Sequence, residues 1–103
     1  MSGNIKLRDS DIHPHLKARM LQRGISKDEI EETLEKGKDA RDAKPGTYGK
    51  VLAFSYDNSW EGKFYKQKEV AVYYKLVGGT VMVLTVKARY GERFEEMKNE
   101  NRI

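Results

Sequence analysis

The stretch His13-Pro-His-Leu-Lys-Ala-Arg-Met-Leu-Gln-Arg-Gly-Ile-Ser26 decides the fold. Pro14 suits the first position of a helix, where a missing N–H is no loss. Ile12, Leu16 and Met20 then recur at helical spacing as an apolar stripe, with His15, Arg19 and Arg23 as a cationic stripe beside it. Gly24 ends the helix as a left-handed cap. Ser26, with Glu29 three residues later, has the pattern of a capping box that opens a second helix. The spacing therefore predicts one helix from about Pro14 to Arg23 and another from Ser26 to a stop at Gly37. A Gly-Ile-Ser corner joins them. Ile25 and Ile30 are placed to staple the second helix, and Ile30 and Leu34 give it an apolar face. Asp28 and Glu29 in its first turn, and Lys36 and Lys38 near its end, complement the helix dipole.

Outward from this corner the pattern changes period. Residues 1–11 read as a lead-in arm, with a short edge strand around Ile5 and Leu7. Residues 38–48 read as a loop containing the Pro45-Gly46 turn. Lys50–Tyr56, Phe64–Leu76 and Thr80–Tyr90 read as strands. Asp57-Asn-Ser-Trp-Glu-Gly62 breaks the first from the second, and Gly78-Gly79 marks a tight hairpin between the second and third. Residues 91–103 are a polar tail in which Phe94 and Met97 suit a short helix. The expected architecture is α+β: two N-terminal helices (12–37) packed on a three- to four-stranded antiparallel sheet (49–90), all one domain.

Composition narrows the function classes. The 103 residues carry a net charge of +4 and no cysteine. Disulfides and thiolate metal sites are excluded. Two histidines separated by one proline make a poor zinc site, so no metal and no cofactor are expected. No apolar run is long enough to span a bilayer and Met1-Ser-Gly-Asn lacks a signal-peptide core, so a soluble cytoplasmic protein without membrane contact is expected. Charge is unevenly spread: net +3 over residues 1–26, −3 over 27–39, +5 over 40–90 and −1 over 91–103. A basic helix beside a basic sheet suits a polyanion, although lysines also simply solubilise a surface.

Strand alternation points to where such a polyanion would sit. In the third strand Met82, Leu84, Val86, Ala88 and Tyr90 form one row, the natural core face. Val81, Val83, Thr85, Lys87 and Arg89 form the other, which becomes cationic toward its end. In the second strand Tyr73 and Lys75 share a row that can join Lys87 and Arg89. RNA can be cut without a metal when a base takes the 2′-OH proton, an acid protonates the leaving oxygen, and cations hold the phosphate. Histidine suits the proton steps and arginine the phosphate. Of the two histidines, His15 is the better candidate, being aligned with Arg19 and Arg23; His13 falls at the helix cap. Each feature also has a structural reading. His15 can be a plain surface residue, Arg19 and Arg23 can pair with Glu29, Glu32 or Asp11, and Trp60 and Tyr56 can either stack bases or plug the core edge.

His15-Leu-Lys-Ala-Arg-Met-Leu-Gln-Arg-Gly-Ile-Ser26, together with the strand motif Val83-Leu-Thr-Val86, resembles a bacterial domain-of-unknown-function family, number 4258. That family is similar to the RelE/barnase/EndoU/colicin group of small ribonucleases, often the toxins of toxin–antitoxin systems. The resemblance covers about residues 13–90. It implies a RelE-like fold and cleavage of RNA, including ribosome-bound mRNA, by metal-independent transesterification, with an antitoxin protein as partner. It implies catalytic roles for His15, Thr85, Lys87 and Tyr90. Arg19, Arg23, Arg89, Lys75 and Tyr73 are the expected RNA and phosphate contacts. The alternative is a non-catalytic module that binds RNA or protein. The chain departs from the family pattern in its charged middle, Asp57–Lys68, and in its Lys-Ala-Arg-Tyr-Gly ending.

Overall fold

The computed structural model describes Leu7, residues 12–92 and Phe94. The rest of the expected arm, and the short helix expected in the tail, lie outside these residues. Helix α1 spans Pro14–Arg23 and α2 spans Lys27–Lys36. Both begin and end for the local reasons read from sequence. His13 is the N-cap of α1, its Nδ1 accepting the His15 N–H at 3.1 Å. Gly24 takes the left-handed conformation (φ 70°), and the Ile25 N–H closes back onto the Met20 carbonyl at 2.9 Å. The capping box is complete: Ser26 Oγ accepts from the Glu29 N–H at 3.1 Å, and Glu29 Oε1 accepts from the Ser26 N–H at 2.9 Å.

Four strands form one antiparallel sheet in sequence order: β1 (Lys38–Asp39), β2 (Tyr48–Trp60), β3 (Lys63–Val77) and β4 (Thr80–Gly91). Two of these differ from expectation. The loop after α2 lends two residues to the sheet edge, Lys38 opposite Val51 and Asp39 opposite Lys50. Strand β2 does not stop at Asp57. The pairing with β3 slips between Ser55 and Asn58, so that Asp57 (φ 45°) is absorbed as an irregularity inside a longer hairpin. Aspartate tolerates the left-handed region better than most residues. The true turn is Glu61-Gly62, both residues at positive φ, the geometry that matches strand twist.

The helices pack on one face of the sheet, α1 against β4 and α2 against β2 and β3. Leu16, Ile25, Ile30 and Leu34 meet Val70, Val72, Val83 and Val86 in a single core that also takes in Leu7 and Ile12. Val70, Val72 and Val86 are fully covered, each contributing roughly 1.5–3 kcal/mol by burial.

The rows expected for β4 need correction. Tyr73 pairs with Thr85, but Tyr74 pairs with Val83, so Leu84 is an extra residue, a β-bulge. Beyond the bulge the alternation inverts. Val81 and Val83 join Val86, Ala88 and Tyr90 on the core face, with Val83 8% exposed. Met82 and Leu84 turn outward, 46% and 43% exposed. A single inserted residue is enough to exchange the faces, because side chains alternate with period two.

Gly24 is the tightest point of the corner. A Cβ there would lie 2.6 Å from the Trp60 ring and 2.8 Å from the Tyr90 hydroxyl, whereas a Cβ on Gly78 (φ 59°) would meet nothing within 4 Å. Both positions pay the left-handed penalty of about 1–2 kcal/mol. Gly78→Ala should therefore lower unfolding free energy by about that amount and Gly24→Ala by distinctly more, in urea denaturation; equal losses would contradict the packing described.

Candidate functional site: the open face of the sheet

With both helices on one side, the other face of β2–β4 is left for solvent. Its floor is made of small side chains from the two central strands, Val51, Ala53 and Ala71. These sit in a groove of about 700 Å³. One wall carries Lys36 and Lys38, with Arg41 and Asp42 from the loop after β1; the other carries Lys87 and Arg89 from β4, with Phe94 beyond. Glu69 and Tyr73 from β3 stand between them.

Pairing register sets this arrangement. Glu69 is opposite Arg89, Ala71 opposite Lys87, and Tyr73 opposite Thr85. Arg89 Nε and Nη2 reach Glu69 Oε1 at 2.8 and 2.7 Å, and its guanidinium lies 4.9 Å from the centre of the Phe94 ring. Lys87 Nζ lies 5.1 Å from the centre of the Tyr73 ring. The Tyr73 ring crosses β2 at Gly49, its cross-strand partner, where an added Cβ would come within 3.0 Å of the ring. Its hydroxyl donates to Asp42 Oδ1 at 2.8 Å, tying the loop to the sheet. Burial, and then the Asp42 carboxylate, push the Tyr73 hydroxyl up to about 12. At the sheet edge, Lys50 Nζ of β2 pairs with Asp39 of β1 at 2.6 Å, and that carboxylate raises the lysine above its ordinary value.

Of the residues singled out in the sequence, Tyr73, Thr85, Lys87 and Arg89 share this face. Lys75 follows Tyr73 on the same row, toward the hairpin and opposite Met82. Tyr90 does not join them. It lies on the core face, stacked on Trp60 (5.2 Å between centroids), and its hydroxyl donates to the Arg23 carbonyl at 2.6 Å. Burial, with Tyr56 and Glu29 nearby, holds that hydroxyl well above the usual tyrosine range. Trp60 and Tyr56 are likewise engaged in this cluster, Tyr56 meeting Tyr90 edge-on at 5.3 Å. His15 belongs to α1, on the helix side of the sheet; its exposed ring stacks on His13 at 5.0 Å. Arg19 is exposed on the same helix and Arg23 half-buried at its end. Glu29, one of their expected partners, is occupied by Ser26 and Lys68.

The sequence did not place Glu69, Lys38, Arg41 and Asp42 at a site. Glu69 was legible in principle, since it shares the row of Ala71 and Tyr73. The loop residues reach the groove only through β1 pairing, which two residues do not announce. Among the described residues no three of His, Asp and Glu gather as a metal site, and no helix is long and apolar enough to cross a membrane.

Residues 12–86 match the model of a protein family described as Domain of unknown function (DUF4258). The chain belongs to this family. No match was found among curated proteins or among solved structures. The DUF4258 segment runs from the residue before His13 through Val86, so it includes His15, Arg19, Arg23, Glu69, Tyr73 and Thr85. It stops one residue before Lys87, and the cationic end of β4 lies beyond it.

The Tyr73 linkage has a defined sign. Its proton is held more tightly in the folded protein than at the ordinary value of 10.0. The stabilisation is thus complete below about pH 10 and is lost as pH rises from there through about 12. A Tyr73→Phe variant should show a shallower fall in stability over this window, followed by urea midpoints; an identical fall would mean the hydroxyl is not held as described.

Proposed function

We propose that the open sheet face binds RNA and cleaves it by metal-independent transesterification, the protein being a RelE-like ribonuclease of the toxin type. One observation carries this reading: a carboxylate, a guanidinium and an ammonium (Glu69, Arg89, Lys87) stand on neighbouring registers of β3 and β4 along one groove. Glu69 Oε2 takes the 2′-OH proton. The 2′-oxygen attacks the adjacent phosphorus, the bond to the 5′-oxygen breaks, and Lys87 gives that oxygen its proton. Arg89 meets the charge that builds on the phosphoryl oxygens. Tyr73 keeps its proton, because burial and the hydrogen bond it donates to Asp42 both oppose its ionisation, and so serves as a ring platform and not as an acid. Lys36, Lys38 and Arg41 across the floor lie where flanking phosphates would run.

This assignment keeps Lys87 and the phosphate contact Arg89 of the sequence reading, gives Tyr73 a ring contact and Thr85 no step, and gives the base role to Glu69 in place of His15. It implies a cytoplasmic setting and an acidic antitoxin partner able to cover the groove. The second reading is RNA binding without cleavage. What favours it is that Arg89 already engages Glu69 through one carboxylate oxygen, as a purely structural pair would.

Single-stranded RNA incubated with the protein in a chelator should yield fragments ending in 2′,3′-cyclic phosphate. Glu69→Gln should slow cleavage by roughly 10²–10⁴ while leaving binding intact. Lys87→Ala should weaken binding and make the salt dependence of log K shallower by about 0.7, the share of one phosphate contact on a single strand. His15→Ala should change neither. Loss of cleavage in His15→Ala with full activity in Glu69→Gln would contradict the assignment. Salt-sensitive binding with no cleavage by the wild type would establish the second reading.

A further inference from the structure

Beside the cationic groove lies a second, smaller depression of about 320 Å³ on the same face. Its wall on the sheet is Tyr73, Leu84 and Thr85; its wall on the loop is Asp42, Lys44 and Thr47. Lys87, Tyr73 and Asp42 border both spaces, so the two adjoin at the Tyr73 side chain. The depression owes its apolar side to the β4 bulge. Without the extra residue Leu84 would lie on the core row; with it, the side chain is turned out next to the tyrosine ring. The loop wall is fixed locally. The Thr47 N–H and hydroxyl both bond to the Lys44 carbonyl, at 2.9 and 2.7 Å, and Asp42 is held by Tyr73.

We propose that this depression receives one nucleobase of an RNA strand whose backbone occupies the cationic groove, and that it selects a base with an exocyclic amino group. The proposal rests on the RNA reading of the groove and adds a specificity subsite to it. Size permits it, since 320 Å³ is at the small end of the roughly 300–1,000 Å³ range of small-ligand sites. So does surface chemistry: Leu84 and the tyrosine ring, side by side on the sheet wall, offer apolar contact to one face of a flat base. Position commits the occupant, because Lys87, a cation of the groove, also lines this space.

The amino preference follows from Asp42. Its Oδ1 accepts from Tyr73, and Oδ2 has no donor among the described residues. A carboxylate oxygen at the rim accepts from an amino group, as aspartate does from the cytosine N4 amine, and repels the carbonyl oxygen that uracil carries at the same place. Lys44 lines the same wall, and a lysine there suits the carbonyl and ring-nitrogen acceptors next to that amine. Cytosine and uracil are nearly equal in size and differ on this edge, so comparing them isolates the carboxylate.

The test uses the whole chain and labelled five-nucleotide oligomers of C and of U, 2′-O-methylated so that they bind without being cut, read by fluorescence anisotropy at low salt. The wild type should bind the C oligomer roughly tenfold more tightly than the U oligomer, within the range of one base-edge contact. Leu84→Ser, a change at an exposed position, should weaken both roughly tenfold, the size of one lost base contact. Asp42→Asn still accepts from Tyr73 but can present an amide donor at the rim, and should reverse the order of C and U. Equal binding of C and U by the wild type would overturn the amino selectivity. Both variants binding as the wild type does, while Lys87→Ala loses affinity, would overturn the subsite and leave the groove reading standing. Failure of both oligomers to bind at all would overturn the RNA reading together with the subsite.

Discussion

The structure depends on one buried ammonium. Lys68 of β3 is 3% exposed and donates to both oxygens of Glu29, at 2.8 and 3.0 Å, and to the Gly24 carbonyl. Tyr90 of β4 donates to the neighbouring Arg23 carbonyl. The last turn of a helix leaves carbonyls unpartnered, and here two side chains of the sheet supply what α1 lacks. Glu29 has a second duty, since its Oε1 also closes the capping box of α2. One carboxylate thus starts the second helix and anchors the corner to the sheet. The rings of Tyr56 and Tyr90 face the ammonium at 5.5 and 5.7 Å from their centroids, and Trp60 stacks over Tyr90. A buried pair of this kind gains little over a packed apolar pair, but removing one partner typically costs about 3–5 kcal/mol, because the other charge is stranded. The pairing therefore specifies where the corner docks more than it adds to stability.

Docking the corner on that face sorts the chemistry of the whole chain. Tyr56, Trp60 and Tyr90 are drawn to the helix side and into packing. His15, Arg19 and Arg23 stay with α1 on that side. The opposite face keeps small residues at its centre and charged residues at its borders, the composition of a binding groove and not of a core. Sheet register then does what sequence distance cannot: Glu69 and Arg89, twenty residues apart, share a face with a fork of short contacts. Cations on both borders raise the local potential for a polyanion.

Much of this was legible in the chain. Pro14, Gly24, the Ser26–Glu29 pair and Gly78-Gly79 act through the backbone within a few residues, so their effect did not wait on tertiary structure. The cationic row Thr85–Lys87–Arg89 was legible because nothing interrupts its alternation. What escaped were events with no local signature. The bulge at Leu84 is decided by pairing with β3, and it exchanged the faces of Met82 and Val83. Lys68 stands in a charged stretch with nothing local to mark it as buried, and the α2 carboxylate across from it makes burial tolerable. Tyr90 was grouped with Lys87 as a site residue through the family resemblance, against the strand alternation, which puts residues three apart on opposite faces.

The central claim is that ligand chemistry belongs to the uncovered sheet face and not to the histidine-bearing helix. Amide chemical shifts followed by NMR while a short single-stranded RNA is titrated in test it most directly. Changes should concentrate at Val51, Ala53, Ala71, Tyr73 and Lys87, with the amides of His15 through Arg23 unmoved. Changes centred on α1, with the floor of the groove silent, would contradict it.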